Sequence, residues 1–246
     1  MNELKEIVLS PDPRLSQECA PVEKIDDDVR ALAKRMLRVM YAADGCGLAG
    51  PQIGEMRQIV VIDVDYAGRG GKKNPYVLIN PRIVAADGPE REGSEGCLSF
   101  PGVSVRVSRP SHVVVQALNL DGDLMQYEAA DNLLAVCLQH EIDHVHGVTM
   151  FDHLPPIRRA EAQREYEAAL AAGARPGDTE VEEGAPWLTR RTRPPRGPAA
   201  RASSSWGRRS SPCRPSPRSP RRATWPSWSR ARTPCAGADG DSSPLR

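Results

Sequence analysis

The spacing of apolar positions along the chain alternates between two periods, and the changes of period mark out its elements. From Val29, apolar residues recur at Leu32, Ala33, Met36, Leu37, Met40 and Tyr41, which places one stripe along an α-helix. Asp26, Asp27 and Asp28 stand at its start, where the positive end of the helix favours carboxylates, and Gly45 is placed to stop it. A glycine-rich loop, GCGLAGPQIG over residues 45–54, follows. Gln58–Val64 (QIVVIDV) then reads as a buried strand, Tyr76–Asn80 as a short one, and Arg82–Ala86 as another. Val103–Val107 alternates apolar and polar residues, as a half-buried strand does. His112–Leu120 and Leu124–Ala129 flank Asp121-Gly122, a strong hairpin signal.

A second helix, LLAVCLQHEIDHV, begins after Asp131 or Asn132 as cap and meets a stop at Gly147. A third runs over Ile157–Ala172, rich in Ala, Glu and Arg. The pattern predicts an α+β fold: antiparallel strands packed around a central helix, with an N-terminal and a C-terminal helix, in one domain over residues 1–175.

Charge divides the chain differently. The net charge of +1 is the sum of an acidic body and a basic tail. Met1–Gly184 carries 19 Lys and Arg against 30 Asp and Glu, whereas Ala185–Arg246 carries 14 Arg, no Lys and two Asp. The tail also holds all four tryptophans and 11 of the 23 prolines, in stretches such as RRSSPCRPSPRSPRR without hydrophobic period. Such a segment cannot bury a core, so residues 176–246 are expected to be disordered. Arginine without lysine, with isolated tryptophans, is also what out-of-frame reading of a GC-rich gene would produce. An RNA- or ribosome-contacting tail is the functional alternative.

The six cysteines are too sparse for a secreted disulfide framework, and MNELKEIVLSPDPRL has no apolar core of signal-peptide length. No apolar run is long enough to span a membrane, so a reducing, cytoplasmic setting is expected.

The chemistry is concentrated in QHEIDHVHG, residues 139–147. His140 and His144 are four apart on a helix and share a face, so both can reach one metal ion. Glu141 is rotated by about 100° from His140, beside the ion, where it can exchange protons with a water that the ion activates. A solvated helix with surface histidines fits badly, because LLAVCL leads into the motif and implies burial.

The third ligand decides the class of site. The metzincin pattern requires a histidine at 150, where this chain has Met150. A gluzincin would take a glutamate from a following helix, and Glu161, Glu165 and Glu167 are available. Upstream, EGCLS at residues 95–99 offers Cys97, and a thiolate with two imidazoles leaves one open position on a tetrahedral ion. Taken alone, Cys97 reads as a small buried hydrophobe, and so does Cys137. His146, His153 and His112 lie outside the metal pattern.

Together GCGLAGPQ (45–52), EGCLS (95–99) and QHEIDH (139–144), in this order and spacing, resemble the peptide deformylases. The resemblance covers residues 4 to about 172. It implies removal of the N-formyl group from the formylmethionine of nascent proteins, with release of formate. It implies Cys97, His140 and His144 as metal ligands and Glu141 as general acid/base. Gln52 and the backbone N–H of Leu98 become the oxyanion donors. Gly45 and Gly47 fall in a loop that pairs with the bound peptide like a strand. Cys46, Leu133, Val136 and Cys137 match the methionine pocket, although Leu133, Val136 and Cys137 would serve equally as core. Fe2+ is the implied metal, with Zn2+, Ni2+ or Co2+ as substitutes. Glu95 is expected to pair with Arg109 and support the metal loop.

The chain departs from the family pattern at Gly50, where alanine is usual, which is expected to loosen the loop beside Gln52. It departs again at Ser104, where arginine is frequent. The competing functions are an HExxH metallopeptidase and an inactive relative with an RNA- or ribosome-contacting tail.

Overall fold

The computed structural model describes residues 3–66 and 72–178. The chain divides into a unit over Met1–Arg201 and a second over Ala202–Arg246. The second lies wholly outside the described residues, as do the expectations for the tail from 179 onward.

Helix α1 spans Asp27–Ala42. Asp26 caps it by accepting from the Val29 N–H, an interaction worth about 1 kcal/mol. Its buried face follows the anticipated stripe at Val29, Leu32, Ala33, Met36 and Met40, with Val39 added, while Leu37 and Tyr41 are half-buried at its edge. The stop differs from expectation. Asp44, with φ 56°, is the left-handed residue. Asp44 N–H donates to the Tyr41 carbonyl and Gly45 N–H to that of Met40, closing the last turn. Gly45 lies against Leu98, whose Cδ1 would stand 2.8 Å from a Cβ at 45.

Five antiparallel strands form one sheet in sequence order: β1 (Gly47–Ala49), β2 (Ile59–Ile62), β3 (Tyr76–Gly96), β4 (Ser104–Leu118) and β5 (Leu124–Ala130). In β2, Ile59 and Val61 pack with α1, while Val60 and Ile62 pack in the other core. This two-sided burial is why IVVI shows no alternation.

Two expected pairs of short strands are in fact two long strands. Tyr76–Asn80 and Arg82–Ala86 belong to β3, which continues to Gly96 through DGPEREGSEG. Glycine, proline and charge leave that stretch without a strand period in sequence. It extends because it pairs with β4 from Glu90↔Pro110 to Gly96↔Ser104. Pro110 interrupts the alternation of β4 in sequence but not in space. The register shift between Asp87 and Glu90, with Gly88 at φ 80°, lies where Pro110 pairs. The edge strand β1, three residues of the glycine-rich loop, has no signal in the hydrophobic pattern; only the resemblance gives this loop strand-like pairing.

Helix α2 spans Leu133–Val145, capped by Asn132, whose side chain accepts from Ala135 N–H at 2.9 Å. Ten of its 13 residues are buried, so it lies inside the molecule and touches all five strands. Gly147, φ 73°, ends it as expected, with Val148 N–H donating to the Asp143 carbonyl. Helix α3 (Pro156–Ala171) buries only Ala162 and Tyr166, which join Phe100, Phe151 and Met150 in a third core. The α+β reading with a central buried helix is borne out.

Candidate metal centre

The site lies where the end of β3, the β1 loop and α2 meet. Among the described residues, one group of side chains could hold a metal ion: Cys97, His140 and His144. All three are buried, and their ligand atoms lie within 4.8 Å of one another. Cys97 Sγ is 3.2 Å from His144 Nε2. Bonds of about 2.0–2.3 Å to a tetrahedral ion place ligands roughly 3.3–3.8 Å apart, so this donor set fits one. The gluzincin candidates are elsewhere. Glu161 pairs with Arg158, Glu167 accepts from Gln163, and Glu165 is exposed on α3. Met150 is core.

Glu95 fixes the ligands. Its Oε2 is 2.9 Å from His140 Nδ1, which leaves His140 Nε2 for the ion. Arg109 grips Glu95 with two bonds, Nε to Oε1 at 2.5 Å and Nη2 to Oε2 at 3.0 Å. Arg109 Nη1 reaches Asp143 Oδ2 at 2.9 Å, and His153 Nε2 meets the same oxygen at 2.8 Å. The expected Glu95–Arg109 pair is therefore one link in a chain that ties β3, β4 and α2 together. Sequence reasoning missed its extension to His140, Asp143 and His153. A signal existed: Arg109 and Ser111 share the buried register of Val105, Val107, Val113 and Val115. A cation in an apolar register requires a buried anion.

The electrostatics agree. Burial opposes the charge on Glu95, but hydrogen bonds from His140 and Arg109 outweigh it and hold the carboxyl down at about 2. Burial and the neighbouring His140 push His144 down to about 3, which keeps it a neutral ligand. Burial also opposes charge on His140, yet Cys97 and Glu95 raise its pKa well above the ordinary value. Groups that hold a proton there are suited to hold a cation.

Glu141 differs from Glu95. Burial pushes its pKa up to about 7. Its Oε2 and His144 Nδ1 are buried without a hydrogen-bond partner among the described residues. A buried carboxylate oxygen left without a donor is costly unless a ligand supplies one. Gly47 packs directly on it: a Cβ at 47 would lie 2.3 Å from Glu141 Oε1.

Gln52 is buried at 1 % exposure. Ala49 N–H donates to its Oε1 at 2.8 Å, which turns Nε2 toward Cys97 Sγ (3.4 Å) and Ser99 Oγ (3.3 Å). Gly50 does not loosen this loop. A Cβ there would stand 2.6 Å from the carbonyl oxygens of both Glu55 and Arg57, so glycine lets the loop close tightly. Leu98 is buried beside Cys97. Leu133 and Val136 are half-buried on the face of α2 that carries Cys137 and His140, and Cys46 lies opposite, its Sγ 3.1 Å from Cys137 Sγ. His146, 43 % exposed, stands apart.

A family model described as polypeptide deformylase matches residues 4–160. The chain belongs to the polypeptide deformylase family. A peptide deformylase of Phenylobacterium zucineum is 43% identical over 159 residues, covering 65% of this chain and 92% of that one. The crystal structure of a peptide deformylase from Legionella pneumophila superposes with TM-score 0.62 at 41% identity, covering 68% of this chain and 96% of that one. A Synechococcus elongatus peptide deformylase in complex with actinonin gives TM-score 0.60 at 38% identity, covering 68% and 86%. The expectation of a metal-dependent enzyme of this family is borne out. No helix among the described residues is long and apolar enough to cross a membrane.

Proposed function

We infer that the enzyme removes the N-formyl group from the N-terminal formylmethionine of nascent proteins and releases formate. The observation that carries this reading is Glu141, buried and without a partner at Oε2 among the described residues, beside the Cys97–His140–His144 cluster. A bound ion supplies an activated water and polarises the formyl oxygen. Fe2+ is assigned as the cellular metal; thiolate and imidazole donors also suit Zn2+, Ni2+ and Co2+.

Glu141 takes the proton of the attacking water and returns one to the amine that leaves. Gln52 Nε2, fixed by Ala49, and the Leu98 N–H donate to the developing oxyanion. The peptide adds alongside edge strand β1 at Gly45, Cys46 and Gly47, in the manner of β-augmentation. Its methionine side chain enters between Cys46, Leu133, Val136 and Cys137. The catalytic domain is assigned to residues 1–175. A cytoplasmic setting and contact with the ribosome follow from a nascent-chain substrate.

Incubated anaerobically with Fe2+ and a formylmethionyl peptide, the protein is expected to release one formate per peptide and leave the remaining backbone intact. Internal cleavage without formate would show a metallopeptidase instead. Gly47→Ala is expected to lower formate release by roughly tenfold to hundredfold, because the new methyl must displace Glu141 or β1 by about 1 Å. Metal content should be unchanged, and a wild-type rate would refute the close-packing role.

A further inference from the structure

Four cysteines fall among the described residues, and all are free thiols. Cys97 belongs to the metal cluster and Cys19 packs in the core. The remaining two are not independent. Cys46, just before the edge strand, and Cys137, in α2, are 91 residues apart in sequence but have their Sγ atoms 3.1 Å apart. Cys46 is half-buried, while Cys137 is 5 % exposed. Cys46 is thus the residue nearer the surface, and the Cys137 thiol sits directly against its own. That is the arrangement of an attacked and a resolving cysteine.

The backbone around Cys46 is pinned on both sides. Its carbonyl accepts from Asp63 N–H at 2.9 Å, and the N–H of Gly45 donates to Met40. The fold therefore holds the main chain at Cys46 within thiol reach of Cys137.

We propose that Cys46 and Cys137 form a hydroperoxide-sensitive dithiol whose oxidation to a disulfide reversibly closes down the active site. In the first step the Cys46 sulfur attacks the peroxide O–O bond, giving a sulfenic acid and releasing water. The Cys137 sulfur then attacks the Cys46 sulfur and expels its oxygen as a second water. Two thiols and one hydrogen peroxide thus become one disulfide and two waters, the peroxide being reduced. A dithiol reductant reverses the change by exchange.

The effect on turnover rests on the deformylase reading and follows from the neighbours. The sulfurs must approach by about 1 Å to bond at about 2.05 Å. They wall the pocket assigned to the methionine side chain. Cys46 also precedes Gly47, whose backbone leaves no room for even a methyl group against Glu141. A cross-link at 46 therefore pulls on the edge strand and on the catalytic carboxylate together.

The test uses the full-length, zinc-loaded protein, so that the metal itself is not oxidised. It is treated with low hydrogen peroxide, alkylated and digested without reduction. The expected product is a peptide pair joined through Cys46 and Cys137, lighter by two hydrogens than its parts. Formate release should fall about tenfold or more, as expected for a misplacement of this size, and recover with dithiothreitol. In Cys137→Ala no linked pair can form, and the Cys46 sulfenic acid of the first step should instead be captured by dimedone; absence of that adduct would also overturn the proposal.

Absence of the linked pair would overturn the proposal. So would a linked pair with unchanged turnover, or sulfinic or sulfonic Cys97 as the sole product, which dithiothreitol does not reverse. The cross-link is scored by mass, so a reduced enzyme that released no formate would refute the deformylase reading alone.

Discussion

Glu141→Gln is expected to lower formate release by about 10²–10⁴-fold, the usual worth of a general acid–base group, while the metal stays bound. Glu141 lies beside the ligand cluster and is not part of it. Its removal therefore subtracts proton transfer and little else. Glutamine keeps the volume that Gly47 packs against, so the edge strand should not shift. Because Glu141 Oε2 has no hydrogen-bond partner among the described residues, the substitution orphans no other group. The thermal midpoint should stay level or rise, as is common when a strained catalytic group is neutralised. Metal content, kcat and thermal midpoint together check the claim. A variant that loses its metal, or keeps its rate within tenfold, would remove Glu141 from the acid–base role.

The parts of the site legible in the sequence are those fixed by local geometry. His140 and His144 follow from helical spacing, whereas Cys97, which alone reads as core, is singled out only by the resemblance that EGCLS shares with the two other motifs. The parts that were not legible depend on pairing across the sheet. DGPEREGSEG shows no strand period because glycine, proline and charge dominate it, yet its partner strand holds it extended. Strand β1 is too short to show a period, and it becomes a strand only through Val60, Val61 and Ile62. Gly50 illustrates the same limit. Its lack of a side chain suggests slack when read alone, whereas two carbonyl oxygens 2.6 Å from its absent Cβ make it a point of closure. Arg109 was within reach of pattern reasoning once β4 was taken as one strand. Its partners on α2 and beyond were not, because nothing in sequence relates residues 109, 143 and 153.

Arg109→Met is expected to cost about 3–5 kcal/mol, the usual penalty for leaving a buried charge unpaired. Arg109 and Glu95 have side chains only 6 % and 4 % exposed, so water cannot replace the lost guanidinium. Glu95 would retain only His140, and Asp143 only His153. For a body of this size the thermal midpoint should drop by roughly 10 °C or more.

The same substitution frees Glu95, and through it the ring of His140, so metal affinity should fall about 10–100-fold. These two effects have different origins and can be separated. The double variant Glu95→Gln, Arg109→Met removes both charges and should recover much of the stability. It should not recover metal affinity, because a neutral amide is a weaker acceptor for the Nδ1–H of His140 and raises its basicity less. Competition with a chelator and thermal melting of the single and double variants measure the two quantities. If affinity returned together with stability, the ion-pair chain would be a device of the fold alone. If stability returned without affinity, the charge on Glu95 would be what tunes the metal ligand.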